Sequence, residues 1–212
     1  MGSNTSRAQR PKKETPPVSY YLNQKKILIN LIALTFIWLT TSYNSFLIAY
    51  LLNNLDQVYI NYVFTSISSF VGYSIGGYLY LSFGLKLSLG GAYLVQILAG
   101  VASLAFGLQH QNGWIFLIIW QFLQFGISTG FQVLYTSHTH LFPTLFSTTS
   151  FGIMNFVAQF GIILSPLVAQ IGEPTPVLTM TLASITGFVC VFFIRSIGDR
   201  KDESKPKKKE KT

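Results

Sequence analysis

Two histidines, His138 and His140, place titratable side chains two residues apart in a chain that keeps almost every other charge out of its middle. They follow a long apolar run and directly precede residues 141–144, Leu-Phe-Pro-Thr. Residues two apart lie on different faces of a helix, whereas an extended loop would place them on one side. A metal site would need more ligands, and no Cys, Asp or Glu lies nearby in sequence. We therefore predict two loop histidines outside any metal site. They act either as a pH-sensitive contact or, as we favour, by bonding helix-end carbonyls or a partner chain.

A second set of polar side chains lies inside the apolar runs, and all its members are neutral. Gln121 and Gln124 are three residues apart, so they share a face of a helix. They could line a solute cavity or form hydrogen bonds between helices, worth about 1 kcal/mol each. Because no charge accompanies them, we favour the structural role. The candidates for a cavity-lining or partner-facing role are Asn44, Gln121, Gln124, Asn155 and Gln159.

The sequence carries no recognisable catalytic pattern. It has no Cys/His metal motif, no phosphate-binding loop and no Ser-His-Asp set that could meet outside a membrane. Its only cysteine, Cys190, lies within an apolar run, so a disulfide within the chain is excluded. We predict that the protein is not an enzyme and uses no cofactor or metal.

The elements that position these residues are long apolar runs. Only 10% of the 212 residues are charged, against about a quarter in soluble domains. Each run approaches the ~20 residues that cross a bilayer as a helix. We therefore predict an all-α membrane protein whose six transmembrane helices occupy residues 27–195, between tails at residues 1–26 and 196–212. The runs are residues 27–52, 58–82, 87–108, 114–136, 149–171 and 177–194.

The fifteen Lys and Arg residues fall in three segments. Six lie in residues 7–26, one is Lys86, and eight lie in residues 195–211. With six spans, all fifteen lie on one side of the membrane, and Asp56 and Glu173 lie on the other. This positive-inside pattern predicts that both termini face the cytoplasm or the mitochondrial matrix.

The tails carry two further signals. Gly2 and Ser6 fit the N-myristoylation pattern, or match it by chance. The same segment is basic, rich in hydroxyls and free of acids up to Glu14, which also suits an organellar import signal. The basic C-terminal tail predicts contact with anionic lipid headgroups, at about 1 kcal/mol per basic residue near the surface. Nothing in either tail indicates nucleic-acid binding.

The segment that follows the histidines resembles a known family. Residues 141–144, then Gly152, then residues 161–166 are similar to the second half of the major facilitator superfamily, above all its organic cation and anion transporter branch. In that branch, a Glu-Leu-Phe-Pro-Thr segment joins the tenth and eleventh helices. The resemblance covers about residues 27–195 and implies a six-helix half of the transporter fold. The motif positions are Gly84, Lys86, His140, Pro143, Thr144, Ser147, Gly152, Gly161 and Pro166.

The chain departs from the family pattern where the family is charged. The family's acid falls on His140, its arginine on Ser147, and the arginine that opens the eleventh helix on Gln159. In the family, these charges form ion pairs at the inner face that hold the outward-open state. Here the corresponding ion pairs are not expected.

These observations lead to one favoured function and two alternatives. A single six-helix half lacks the opposing wall of a two-walled transport path. We predict a degenerate, non-transporting accessory subunit of a larger membrane complex in the mitochondrial inner membrane, in contact with lipids and other integral membrane subunits. The first alternative is a half-size transporter of organic ions or other small solutes, which dimerises in the plasma membrane or an endomembrane. The second is a receptor-like or lipid-binding scaffold.

Overall fold

The protein folds as a bundle of long α-helices. The computed structural model describes residue 20 and residues 23–53, 58–106, 113–172 and 174–195, apart from the side chains of residues 113–116, 144 and 145. Five helices in this part of the chain are long and apolar enough to cross a membrane, which supports an integral, multi-pass membrane protein. They are α1 (Lys25–Asn53), α2 (Val58–Ala105), α3 (Gly113–Leu141), α4 (Thr144–Ala169) and α5 (Thr175–Phe193).

The prediction of six helices is wrong in its count, because residues 58–82 and 87–108 contribute to one element, α2. This element has 48 residues, more than twice the ~20 that cross a bilayer as one helix. Within it, Gly84 has a φ of 76° and a ψ of 178°. A positive φ costs glycine little because it lacks a Cβ. Gly84 therefore divides α2 into a first arm, residues 58–83, and a second arm, residues 85–105.

The first arm of α2 runs alongside α3 in the same direction. The Ser68 hydroxyl donates a hydrogen bond to Oε1 of Gln121, 2.8 Å away. Further along, Gly76 packs against the side chain of Gln132. Later residues of this arm therefore meet later residues of α3.

The second arm runs along α3 in the opposite direction. Leu89 belongs to the same hydrophobic cluster as Val133, whereas Ala99, further along the arm, shares a cluster with Leu123. The partner positions on α3 thus decrease as the arm advances. The chain therefore reverses at Gly84, and both arms of α2 pack against α3.

Helix α1 lies at the centre of the bundle and packs against α3, α4 and α5. A cluster at one end of the bundle joins the start of α1 (Ile27), the α3–α4 junction (Phe142) and the residue after α5 (Ile194). Leu85, next to the break in α2, packs against the same cluster. These chain segments therefore meet at one end of the molecule.

The same end carries every cationic Lys and Arg side chain in the described part of the chain. All four are exposed: Lys25, Lys26, Lys86 and Arg195. The Asn30 side chain fixes the exit of the chain there, because its amide donates to the carbonyl oxygen of Arg195 at 2.8 Å and accepts from the backbone N–H of Arg195 at 2.7 Å. We call this region the basic end. Gly2, Asp56, Glu173, the C-terminal tail and the N-terminal tail apart from residues 20 and 23–26 lie outside the described residues.

Candidate functional site

The junction between α3 and α4 contains the motif that suggested a transporter, and it is closely packed. His138 and His140 were predicted in a loop, but both lie in the last turn of α3. The helix continues past them because Pro143 first restricts the backbone at residue 142. His138 is buried. Its Nε2 lies 2.9 Å from the Ser150 hydroxyl, and its Nδ1 lies 3.4 Å from the Ser147 hydroxyl.

The two histidines have separate environments. His140 is exposed, and its ring stacks on Tyr80 of the first arm of α2, with centroids 5.8 Å apart. His138 bonds serine hydroxyls instead of the helix-end carbonyls that we favoured. Among the described residues, no group of three or more His, Cys, Asp or Glu side chains could hold a metal ion. The junction thus uses His138 to join two helices.

The remaining motif positions are mostly structural. The carbonyl oxygen of Pro143 accepts hydrogen bonds from the N–H groups of Phe146 and Ser147, which starts α4. A Cβ added at Gly161 would stand 2.8 Å from Leu39 of α1, so this glycine allows close packing. By contrast, Gly152 faces open space. Pro166 lies inside α4, Lys86 is exposed at the basic end, and the side chain of Thr144 is outside the described part.

Two of the candidate amides bond a neighbouring helix. Oε1 of Gln121 accepts from Ser68, and Nε2 of Gln124 donates to the Ser69 hydroxyl at 2.9 Å. Both serines lie on the first arm of α2. The arm comes this close because it presents glycines: a Cβ at Gly72 would stand 2.9 Å from a carbonyl oxygen of α3. These glycines therefore form a small-residue face on which the two helices pack closely.

The two amides of α4 are placed differently. Nδ2 of Asn155 donates to the carbonyl oxygen of Phe151 in its own helix at 3.0 Å. Gln159, one turn further, is exposed. Gln159 is thus the candidate amide that the described fold leaves accessible to a partner or solute.

Asn44 lies at the centre of the bundle, in a cluster of polar side chains that the sequence did not predict. Its Nδ2 donates to the Ser184 hydroxyl of α5 at 2.8 Å and to Oε1 of Gln96 in α2 at 3.2 Å. All three residues are fully buried. Gln96 stands out as an amide in an apolar run, but its partners Asn44 and Ser184 are far from it in sequence. Nothing in the pattern could have paired them.

Four aromatic rings from three helices form a second unpredicted cluster. The Trp38 ring makes edge contacts with Tyr135 and Phe151, at centroid distances of 4.8 Å and 5.3 Å. Phe131 lies 6.1 Å from the same ring. Trp38 is buried, whereas Tyr135 is 47% exposed. The cluster thus offers aromatic surface where α1, α3 and α4 meet.

Comparison with known proteins places the chain near transporters. No family model matches it. Over 167 residues, or 77% of its length, it is 25% identical to a Caenorhabditis elegans protein named "Putative transporter B0252.3". The matched region is 34% of that protein. A stretch of 74 residues, 34% of the chain, is 30% identical to organic cation transporter 1 of the same organism, 13% of that protein. The chain spans about a third of the first relative's length and less of the second's.

These relatives and the apolar helices support a membrane, transporter-like protein. They agree with the predicted resemblance at this coarser level. That the chain corresponds to the second half of a major facilitator fold stays a prediction.

Proposed function

We propose that the protein is a non-transporting structural subunit of a larger membrane protein assembly. The observation that carries this proposal is the use of Gln121 and Gln124, which bond Ser68 and Ser69 of the neighbouring helix instead of facing an open path. An amide engaged in this way stabilises the packing of two helices. The bonded atoms, Oε1 of Gln121 and Nε2 of Gln124, are not free to exchange hydrogen bonds with a passing solute, and Nε2 of Gln121 is buried without a partner among the described residues.

The charge pattern supports the same conclusion. Family charges that would form an inner latch are replaced by His140, Ser147 and Gln159. Ser147 contacts His138 within the junction, and His140 stacks on Tyr80. Conformational switching through ion pairs is therefore not expected at these positions.

The exposed face of α4 is the proposed contact with another integral membrane protein. Gln159 lies near the middle of this 26-residue helix, flanked by the exposed rings of Phe156 and Phe160. An amide that faces hydrocarbon without a partner costs roughly several kcal/mol. A neighbouring subunit with a polar group at this depth would remove that cost.

We further propose that each arm of α2 crosses the membrane separately, with both termini on the side of the basic end. The length of α2 and the opposite directions of its arms support this arrangement. Lys25, Lys26, Lys86 and Arg195 would then contact anionic headgroups together with the tails. In a Cys190→Ser background, an impermeant thiol reagent should reach K86C and E173C from opposite sides. Labelling of both from one side would contradict the arrangement.

The location that we propose is the mitochondrial inner membrane, on the basis of the basic, hydroxyl-rich N-terminal segment. Cell fractionation of the full-length protein tests it. Recovery with plasma membrane or endomembrane markers would contradict this location and leave the structural role open.

Two measurements on the purified protein test the function. Extracted from its native membrane in mild detergent, it should migrate in a particle much heavier than its 23.7 kDa and containing other proteins. Reconstituted alone in liposomes, it should show no flux of organic cations or anions above that of protein-free liposomes. Saturable solute flux from the purified chain would overturn the proposal.

A half-size transporter of organic ions that works as a dimer is the second candidate. The exposed ring of Tyr135 beside Trp38 favours it, because aromatic faces attract organic cations. The similarity to organic cation transporter 1 also favours it. On this alternative, liposomes would take up tetraethylammonium, and Tyr135→Ala would reduce uptake without loss of membrane abundance.

A further inference from the structure

The central amide cluster contains two polar atoms whose hydrogen-bonding capacity the described fold does not use. Asn44 and Gln96 are both fully buried. Oδ1 of Asn44 and Nε2 of Gln96 have no hydrogen-bond partner among the described residues. Buried polar groups in native proteins almost always have a partner, either protein or ordered water. One acceptor and one donor therefore require a partner at the centre of the bundle.

This conclusion does not depend on how the amide nitrogen and oxygen atoms are assigned. In the present assignment, Nδ2 of Asn44 faces Oε1 of Gln96 at 3.2 Å. Exchanging nitrogen and oxygen in both amides keeps this contact and again leaves one acceptor and one donor without partners. Exchanging only one amide places two donors or two acceptors against each other. The need for a bridging group is thus a property of the cluster.

The neighbouring helix α3 leaves space on the donor side of this cluster. A Cβ at Gly126 would lie 2.8 Å from Cγ of Gln96 and 2.9 Å from the carbonyl oxygen of Ala92. One turn along, a Cβ at Gly130 would have Nε2 of Gln96 as its nearest neighbour, at 3.7 Å. Its next neighbours are 4.0 Å away. Helix α3 therefore packs tightly against α2 at Gly126 and leaves more space at Gly130, beside the unpaired donor.

We propose that Gly130 opens a hydration site at the centre of the bundle, where one or two water molecules accept a hydrogen bond from Nε2 of Gln96 and donate to Oδ1 of Asn44. A buried water needs a polar site with room and at least two partners. Gln96 and Asn44 supply the donor and the acceptor, and the missing side chain at residue 130 supplies the room. The water would lie between the amide cluster of α1, α2 and α5 and the face of α3 at Gly130.

Thermal unfolding of Gly130→Ala in detergent tests this site through the sign of its effect. Alanine ordinarily stabilises a helix relative to glycine, and its methyl group would meet only normal contact distances here. If the methyl group displaces the water, Gln96 keeps an unsatisfied buried donor. We then expect Tm to fall by about 2–4 °C. An unchanged or increased Tm would overturn the proposal.

The same substitution in a Gln96→Leu background separates hydration from steric crowding. Leucine removes the donor beside residue 130 while keeping a similar volume, so a water there loses one of the two partners that hold it. Gly130→Ala should then raise Tm. A decrease as large as that in the wild-type background would show that the methyl group clashes, and it would contradict the hydration site.

Discussion

Helices α3 and α4 both carry amides that are candidates for a cavity-lining or partner-facing role, and the fold places them differently. On α3, Gln121 and Gln124 meet serine hydroxyls of the first arm of α2. On α4, Gln159 is exposed near the middle of the helix. The residue type is the same, so the neighbouring surface decides the role. Where a small-residue helix approaches closely, the amide holds the fold together. Where no described helix covers it, the amide is available for a partner.

The largest effect should come from the glycines that bring α2 and α3 together. Gly72→Ala would place a methyl group 2.9 Å from the carbonyl oxygen of Phe125 and 2.9 Å from Cβ of Ser128. Because a backbone oxygen cannot move aside easily, we expect a loss of about 3 kcal/mol in unfolding free energy. Unfolding in detergent, followed by tryptophan fluorescence, measures it.

The matched control is Gly152→Ala on α4. This position faces open space, so helix propensity should make the change neutral or stabilising by up to about 1 kcal/mol. Equal destabilisation at positions 72 and 152 would remove the proposed difference between the two helices.

A smaller effect is expected at the α3–α4 junction. His138→Ala removes a buried ring and its contacts with Ser147 and Ser150, which should cost about 1–3 kcal/mol. His140→Ala removes an exposed ring that stacks on Tyr80 and should cost no more than about 0.5 kcal/mol. The difference in denaturation midpoint between the two variants measures this contrast. A larger loss from His140→Ala would contradict the assigned roles.

The smallest effect is the single hydrogen bond between Gln124 and Ser69. Gln124→Leu should lower the unfolding free energy by about 1 kcal/mol. A double-mutant cycle with Ser69→Ala should assign most of that loss to the pair. Gln159→Leu is the control and should leave the purified protein's stability unchanged. Equal losses at positions 124 and 159 would mean that both amides are packed.

The sequence predicted the helical membrane fold well because long apolar runs with few charges are compatible with few other structures. It could not predict that residues 58–82 and 87–105 lie in one helical element that is broken at Gly84, because only the backbone at Gly84 distinguishes a break inside a helix from a loop.

The candidate site was predicted only in part. Periodicity placed Gln121 and Gln124 on one face, but it could not show that serines on another helix would bond them. The cluster of Asn44, Gln96 and Ser184 was also out of reach, because its members are separated by 52 and 88 residues. Contacts of this kind arise from tertiary packing, which a local sequence pattern does not reveal.

Photo-crosslinking from Gln159 in the native membrane tests the central claim most directly. A photoreactive amino acid at position 159 should form an adduct with a different integral membrane protein, because a neighbouring subunit covers the exposed amide. The same group at position 124 should form no adduct with another protein, because that face packs within the bundle. Adducts only with lipid, or only with a second copy of this chain, would contradict the structural-subunit account, and the second result would favour the dimeric transporter.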